Sequence, residues 1–166
     1  MNRIRKVVYA ALIAALACVA TMIIKVPSPL NGYVNLGDSV VLLAGFALSP
    51  LYGFLAAGLG SALADLLLGY ALYAPATFLI KGLMALVAFY GFGLLNKRMK
   101  KLPSQILSGV LAEVLMVLGY LVFEGFLYGF SASLVNVPAN AVQGVFGIVV
   151  GTLLMKVFEK AKINLK

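Results

Sequence analysis

Four ionisable side chains lie in or beside long apolar runs: Asp65, Lys81, Glu113 and Glu124. A charge at the middle of a membrane helix costs about 2.5–3.5 kcal/mol on insertion scales, so each needs a partner or a wet cavity. Groups of this kind pair with one another, hold a polar ligand, or relay protons or ions. Asp65 falls near the end of one apolar run, and Lys81 lies a little way into the next. The turn between them is short, so the two helices are antiparallel neighbours and an Asp65–Lys81 pair is sterically reasonable. A pair that fixes helix packing and a direct ligand contact through Lys81 are both open readings.

Polar residues farther along repeat at helical spacing. Glu113, Tyr120 and Glu124 are separated by 7 and 11 positions, which puts them on one helix face. Asn136, Asn140 and Gln143, at offsets of 4 and 7, share a face of the next helix. Two facing stripes predict a polar cavity open to one side; interhelical hydrogen bonding by amides is the other reading. Tyr70, Tyr73, Tyr120 and Tyr128 cluster near one boundary, as an interfacial aromatic belt would. The stretch Asn31-Gly-Tyr-Val-Asn-Leu-Gly-Asp38 carries two amides, a tyrosine, an acid and two glycines. Asp38 stands where an N-cap of the next helix belongs. The rest has the makings of a lid over the cavity, with Asn35 and Asp38 able to meet a ligand.

The elements that position these groups follow from composition. The chain has 166 residues, 63% hydrophobic and 11% charged. Soluble domains are nearer half apolar and a quarter charged, so this is an integral membrane protein. Spans of about 20 residues leave room for five or six helices in a single transmembrane domain, 1–166, and for no separate soluble domain. The apolar runs predict helices over 4–24, 39–48, 51–68, 75–95, 103–126 and 134–158. Ser49-Pro50 separates the second from the third, because proline disfavours helix in the residue before it and removes a donor. Gly69 is a C-terminal stop and Pro75 a first-turn proline.

Charge decides between six spans and five with a kink at Pro50. The basic clusters are Arg3, Arg5 and Lys6; Lys97, Arg98, Lys100 and Lys101; and Lys156, Lys160, Lys162 and Lys166. With six spans all three fall on the cytoplasmic side, as the positive-inside rule requires. The expectation is an all-α bundle of six transmembrane helices with both termini cytoplasmic, multi-pass in a plasma membrane. The net charge of +8 then reflects orientation and not nucleic-acid binding. The basic start followed by an apolar run resembles a signal peptide, but Lys25-Val-Pro-Ser-Pro is a poor cleavage site, so this run reads as a retained helix.

Several chemistries are excluded. Without histidine there is no HExxH zinc site and no Ser-His-Asp triad. Cobalt or nickel handling is disfavoured for the same reason. Cys18 is alone, so no intrachain disulfide forms. No P-loop is present, so this chain does not hydrolyse ATP by that route. No enzyme, cofactor or metal is expected. A self-sufficient carrier or channel working through Asp65, Lys81 and Glu113 is the alternative; the lack of an inverted repeat weakens it.

The first helix carries two rows of small residues. Ala10, Ala14, Ala17 and Thr21 form one, and Ala11, Ala15 and Cys18 the other. Such rows let a second helix approach closely, either from this chain or from another protein. These AxxxA rows resemble the S component of an energy-coupling factor (ECF) vitamin transporter when taken with three other segments. Those are Asn35-Leu-Gly-Asp38, Gly60-Ser-Ala-Leu-Ala-Asp65 and Ala76-Thr-Phe-Leu-Ile-Lys-Gly82.

The resemblance implies a prokaryotic membrane subunit that binds a vitamin or precursor on the outer side. It implies partners: a transmembrane T subunit and two ABC-type ATPases, whose ATP hydrolysis topples the S component to release ligand inside. The binders would be drawn from Asn35, Asp38, Lys81, Tyr120, Glu124, Asn136, Asn140 and Gln143. Ala10, Ala11, Ala14 and Ala15 would rest on the T subunit. The segments around Asn35–Asp38 and Asp65/Lys81 look most like the branch assigned to hydroxymethylpyrimidine or pyridoxine, with riboflavin next. A larger flavin ring would want more aromatic stacking, and the chain has no tryptophan.

Overall fold

The computed structural model describes residues 3–28 and 32–161. Pro29 at the expected end of the first helix, Asn31 of the polar loop, and Lys162 and Lys166 of the basic tail lie outside the described residues. Helix α1 spans Arg3–Ile23, α2 Gly37–Ala47, α3 Pro50–Leu67, α4 Ala74–Leu95 and α5 Lys101–Tyr128. A short α6, Phe130–Ser133, and a 3-10 turn, Leu134–Asn136, lead into α7, Val137–Lys160.

Breaks between helices follow local chemistry. Leu48 and Ser49 are extended, and Pro50 opens α3 at the position where its missing N–H costs nothing. This is a true break and not a kink. Gly69, with φ +86°, ends the turn after α3, and Gly129, with φ +91°, separates α5 from α6. Both are left-handed positions that glycine takes without strain.

Five helices are long and apolar enough to cross a membrane. Helix α2 is not: its 11 residues make about 16 Å of helix, against a hydrocarbon core of about 30 Å. Every residue of α2 is buried, because α1, α3, α4, α5 and α7 all pack on it. A helix apolar nearly all round belongs in the centre. Close approach is built in by glycine: a Cβ on Gly45 would lie 2.6 Å from the Ala85 carbonyl oxygen of α4. The outer surface of the bundle is apolar, with Leu12, Leu63, Leu79, Val114, Val149 and Leu153 all exposed. That is the surface a lipid-embedded bundle presents.

Helices α1, α3 and α5 run toward one end of the bundle, and α2, α4 and α7 run away from it. At the opposite end the Lys101–Glu159 salt bridge, 2.9 Å, joins the start of α5 to the end of α7. Arg3, Arg5 and Lys6 begin α1 and Lys97 and Arg98 follow α4, so the basic residues gather at that end too.

The polar loop after α1 is not irregular. Strand β1, Lys25–Pro27, pairs antiparallel with β2, Tyr33–Asn35, with Val26 opposite Val34. The hairpin was not expected from sequence, because three-residue strands are too short to show alternation.

Candidate functional site: a polar cavity at one end of the bundle

The cavity lies at the end away from the basic clusters. Its walls come from the end of α1 (Thr21), the hairpin (Tyr33, Asn35), and α3 (Ser61, Asp65). Tyr70 and Tyr73 of the following turn, α4 (Thr77, Lys81), α5 (Tyr120, Glu124) and α7 (Asn140, Gln143) complete it. Empty space between these groups is about 480 Å³, counting the open mouth.

Two arrangements within it come from helical spacing alone. Ser61 and Asp65 lie one turn apart on α3, and Tyr73, Thr77 and Lys81 form a ladder at steps of 4 into α4. The helices then bring these stripes to face the expected stripes of α5 and α7.

At the floor is a buried ionic network. Lys81 pairs with Asp38 in the first turn of α2. The other Asp38 oxygen accepts a hydrogen bond from Gln143 Nε2 at 2.6 Å. Gln143 Oε1 in turn accepts the Asn35 backbone N–H at 2.8 Å, and Asn35 Oδ1 accepts the Gly37 N–H, also at 2.8 Å. This chain ties the hairpin, α2, α4 and α7 together. The Lys81 ammonium also stands 5.4 Å from the Tyr120 ring centre, a cation–π distance.

The expected Asp65–Lys81 pair does not form. Lys81 reaches Asp38, and Asp65 Oδ1 instead accepts the Tyr33 hydroxyl at 2.5 Å. Nor does Asp38 cap α2: Leu36 stands at the cap with no side-chain cap bond, and Ser39 Oγ donates to its carbonyl. Asp38 is instead fully buried, where an ammonium and an amide compensate its charge.

Glu124 is held from two sides. Its Oε1 accepts Asn136 Nδ2 at 2.9 Å and the Tyr73 hydroxyl at 3.4 Å. Asn136 therefore acts through Glu124 and does not line the cavity, whereas Asn140 does. The Thr77 and Tyr120 hydroxyls are 3.0 Å apart. The Tyr33 and Tyr70 rings lie tilted to one another with centres 4.8 Å apart, and Tyr70 meets Tyr73 edge-on at 6.4 Å. Burial first, then the Asp65 carboxyl, pushes the Tyr33 phenol above its ordinary range, so it stays a donor. Tyr70 and Tyr73 of the turn and Tyr120 of α5 thus line the cavity and do not form a belt.

Ser61 Oγ and Glu124 Oε2 are buried in the cavity wall without a hydrogen-bond partner among the described residues. Glu113 lies outside the cavity. Its carboxyl is buried beside Asp38, in a niche left by Gly144 and Gly147 of α7, and neither oxygen makes a well-formed hydrogen bond among the described residues. Among the described residues no group of three His, Cys, Asp or Glu is placed to hold a metal ion.

The small-residue rows of α1 divide. Ala10 and Ala17 are buried, and a Cβ on Gly60 of α3 would lie 2.9 Å from the Ala17 Cβ and would run into the Ala14 carbonyl oxygen. Ala11 and Ala15 are exposed on the outer face, while Cys18 of the same row is buried.

A helical bundle with an apolar outer surface and a polar cavity at one end is the architecture of a membrane protein that binds a small solute. Residues 1–160 match the family described as ECF-type riboflavin transporter, S component, and the chain belongs to that family. It is thus the substrate-binding, non-catalytic class of subunit of an ECF transporter. It is 35% identical over 143 residues to a Pyrococcus woesei protein described as an uncharacterized protein in the gap 3' region. The match covers 86% of this chain and 93% of that one. The fold is shared with the S component of a bacterial ECF transporter, at TM-score 0.78 and 25% identity, covering 98% of this chain and all of the other. An S component for biotin from an ECF-type ABC transporter superposes at TM-score 0.68 with 15% identity, over 96% of this chain and 95% of that one.

Proposed function

We propose that the protein captures a small heteroaromatic vitamin or precursor from outside a prokaryotic cell and delivers it inward with a T subunit and two ABC-type ATPases. The observation that carries this reading is the cavity itself. It is lined by hydroxyls, amides and carboxylates, bordered by a hairpin, and sits opposite the basic end of the bundle. Basic residues stay cytoplasmic, so the cavity faces out and both termini face in, with α2 and its flanks completing a sixth crossing. ATP hydrolysis by the partners topples the subunit and exposes the cavity inside.

For the ligand, we favour hydroxymethylpyrimidine or pyridoxine. Both are single rings rich in hydroxyl and ring-nitrogen groups. A single ring with its substituents is the smaller occupant for a cavity of about 480 Å³ including its mouth. Cavity hydroxyls and amides suit such ligands, because a site built to bond specific groups leaves its own groups unpaired with analogues that lack them. Riboflavin is the second reading, favoured by the family's description and by four tyrosines in the cavity wall able to stack on a flavin.

Equilibrium dialysis of the detergent-purified protein against the three compounds tests both readings. Saturable binding of one compound, with micromolar or tighter affinity, is expected. Binding of none, together with failure to recover a T subunit and ATPases by pull-down, overturns the proposal in favour of a self-sufficient carrier.

A further inference from the structure

Glu113 is a buried acid that the cavity does not use. It sits midway along α5 and is only 5% exposed. Its carboxyl lies over α7, where glycine makes room for it. A Cβ on Gly147 would stand 2.7 Å from Glu113 Oε1, and one on Gly144 would stand 3.2 Å from Oε2. Glu113 also lines a crevice between α5 and α7, with Val110, Val114, Val117, Val145 and Ile148 among its walls. Every other residue of that crevice is apolar or glycine.

Few charged or titratable groups face it. From α2 comes Asp38, whose carboxyl lies beside that of Glu113, and from α4 comes Lys81, already paired with Asp38. Helix α7 carries no acid or base between Val137 and Met155, and α5 carries no other between Leu102 and Gly119. Two carboxyls and one ammonium therefore share this space. Asp38 has the ammonium and Gln143 Nε2, at 2.6 Å, to balance its charge. No described residue offers Glu113 a well-formed donor.

With both acids ionised, the cluster would hold a net negative charge away from water, and one carboxylate would stand against the other. A buried acid in that position takes up a proton in place of its charge. The proton also supplies what the geometry lacks. Two carboxylates offer each other only acceptors, whereas a carboxylic acid beside a carboxylate offers an O–H.

We propose that Glu113 is a proton-binding site, apart from the solute cavity, that keeps a neutral carboxyl in the middle of the bundle. The proton leaves Asp38 to Lys81 and Gln143. Gln143 in turn accepts the Asn35 backbone N–H, so the same proton steadies the hairpin. Losing it puts two negative charges on one ammonium and weakens that chain of bonds. The inference holds whichever solute the cavity takes.

Infrared spectra of the full chain in detergent at neutral pH test it. The difference between wild type and Glu113→Gln is expected to show the C=O stretch of a neutral carboxylic acid, shifted in heavy water. Other acids cancel in that difference. A difference that holds only carboxylate bands overturns the proposal. Thermal midpoints give a second readout. A carboxyl that is neutral when folded and ionised when unfolded contributes less stability as pH rises. Between about pH 6 and 9 the wild-type midpoint is expected to fall by several degrees relative to that of Glu113→Gln, whose amide has no such proton to lose. A purely structural side chain would offset the two curves by a constant, and parallel curves overturn the proposal. Glu113→Met takes the place of Glu113→Gln in both measurements should the amide variant fail to fold.

Discussion

Lys81 of α4 forms its ion pair with Asp38 of α2, while Asp65, the acid nearer to it in sequence, is taken by Tyr33. The pair is almost wholly buried, 4% and 0% exposed at the side chains, so neither charge has water to fall back on. Removing one partner strands the other. Lys81→Met is expected to cost about 3–5 kcal/mol, and the double variant Lys81→Met/Asp38→Asn to recover most of that loss. Unfolding midpoints of the single and double variants in one detergent measure the coupling. Simple additivity of the two losses would show that the pair does not hold α2 to α4.

Glu113 offers the opposite case. Its carboxyl is 5% exposed, lies beside the Asp38 carboxyl, and makes no well-formed hydrogen bond among the described residues, so its burial is poorly compensated. Glu113→Met, which keeps the length and drops the polarity, is expected to stabilise by roughly 1–3 kcal/mol. Gly147→Ala should destabilise by a similar amount, since its Cβ would lie 2.7 Å from Glu113 Oε1 and 2.9 Å from the Asp38 Cβ. That cost should shrink in a Glu113→Ala background. A Glu113→Met variant that loses stability would mean the carboxyl has a structural task.

Tyr33 pins the hairpin to α3. Its hydrogen bond to a carboxylate is of the stronger kind, about 1.5–3 kcal/mol. Tyr33→Phe is expected to raise the ligand dissociation rate roughly 10-fold and to lower the melting temperature by several degrees. The pH dependence follows from the raised phenol pKa. The folded state favours the protonated form, so the tether is complete below the ordinary tyrosine value of about 10 and is lost only as pH rises through the still higher folded value. Dissociation rates measured between about pH 6 and 9 should therefore be flat on account of Tyr33. A wild-type rate equal to that of Tyr33→Phe would remove the hairpin from the ligand's path.

The exposed Ala11 and Ala15 of α1 test the proposed docking of a partner subunit. Ala11→Trp and Ala15→Trp are expected to leave ligand affinity unchanged and to abolish recovery of the T subunit in a pull-down. Ala14→Trp is a poorer probe, because the α1 backbone at Ala14 lies against Gly60 of α3. Full assembly and uptake by both exposed variants would rule this face out.

Much of the bundle was legible in the sequence, for one physical reason. A lipid surround demands long apolar runs, and the backbone within them must be helical. The runs, the break at Ser49-Pro50, the stop at Gly69 and the start at Pro75 were therefore readable one residue at a time. So were the facing stripes, Tyr120 with Glu124 and Asn140 with Gln143, because spacing along a helix fixes a face. The stripes Ser61–Asp65 and Tyr73–Thr77–Lys81 were readable in the same way, but short turns and a belt of tyrosines masked them.

Partner choice was not legible. Asp38 and Lys81 are 43 residues apart, and Asn35 and Gln143 are 108 apart. Nothing in local spacing prefers these pairs over Asp65 with Lys81. What decided them was the placing of α2 at the centre of the bundle, which buries Asp38 fully and makes the ammonium of Lys81 its compensation. The small-residue rows of α1 show the same division. Sequence marked both as faces for close approach, and only the position of Gly60 on α3 determined which one the protein uses for itself and which it leaves outside.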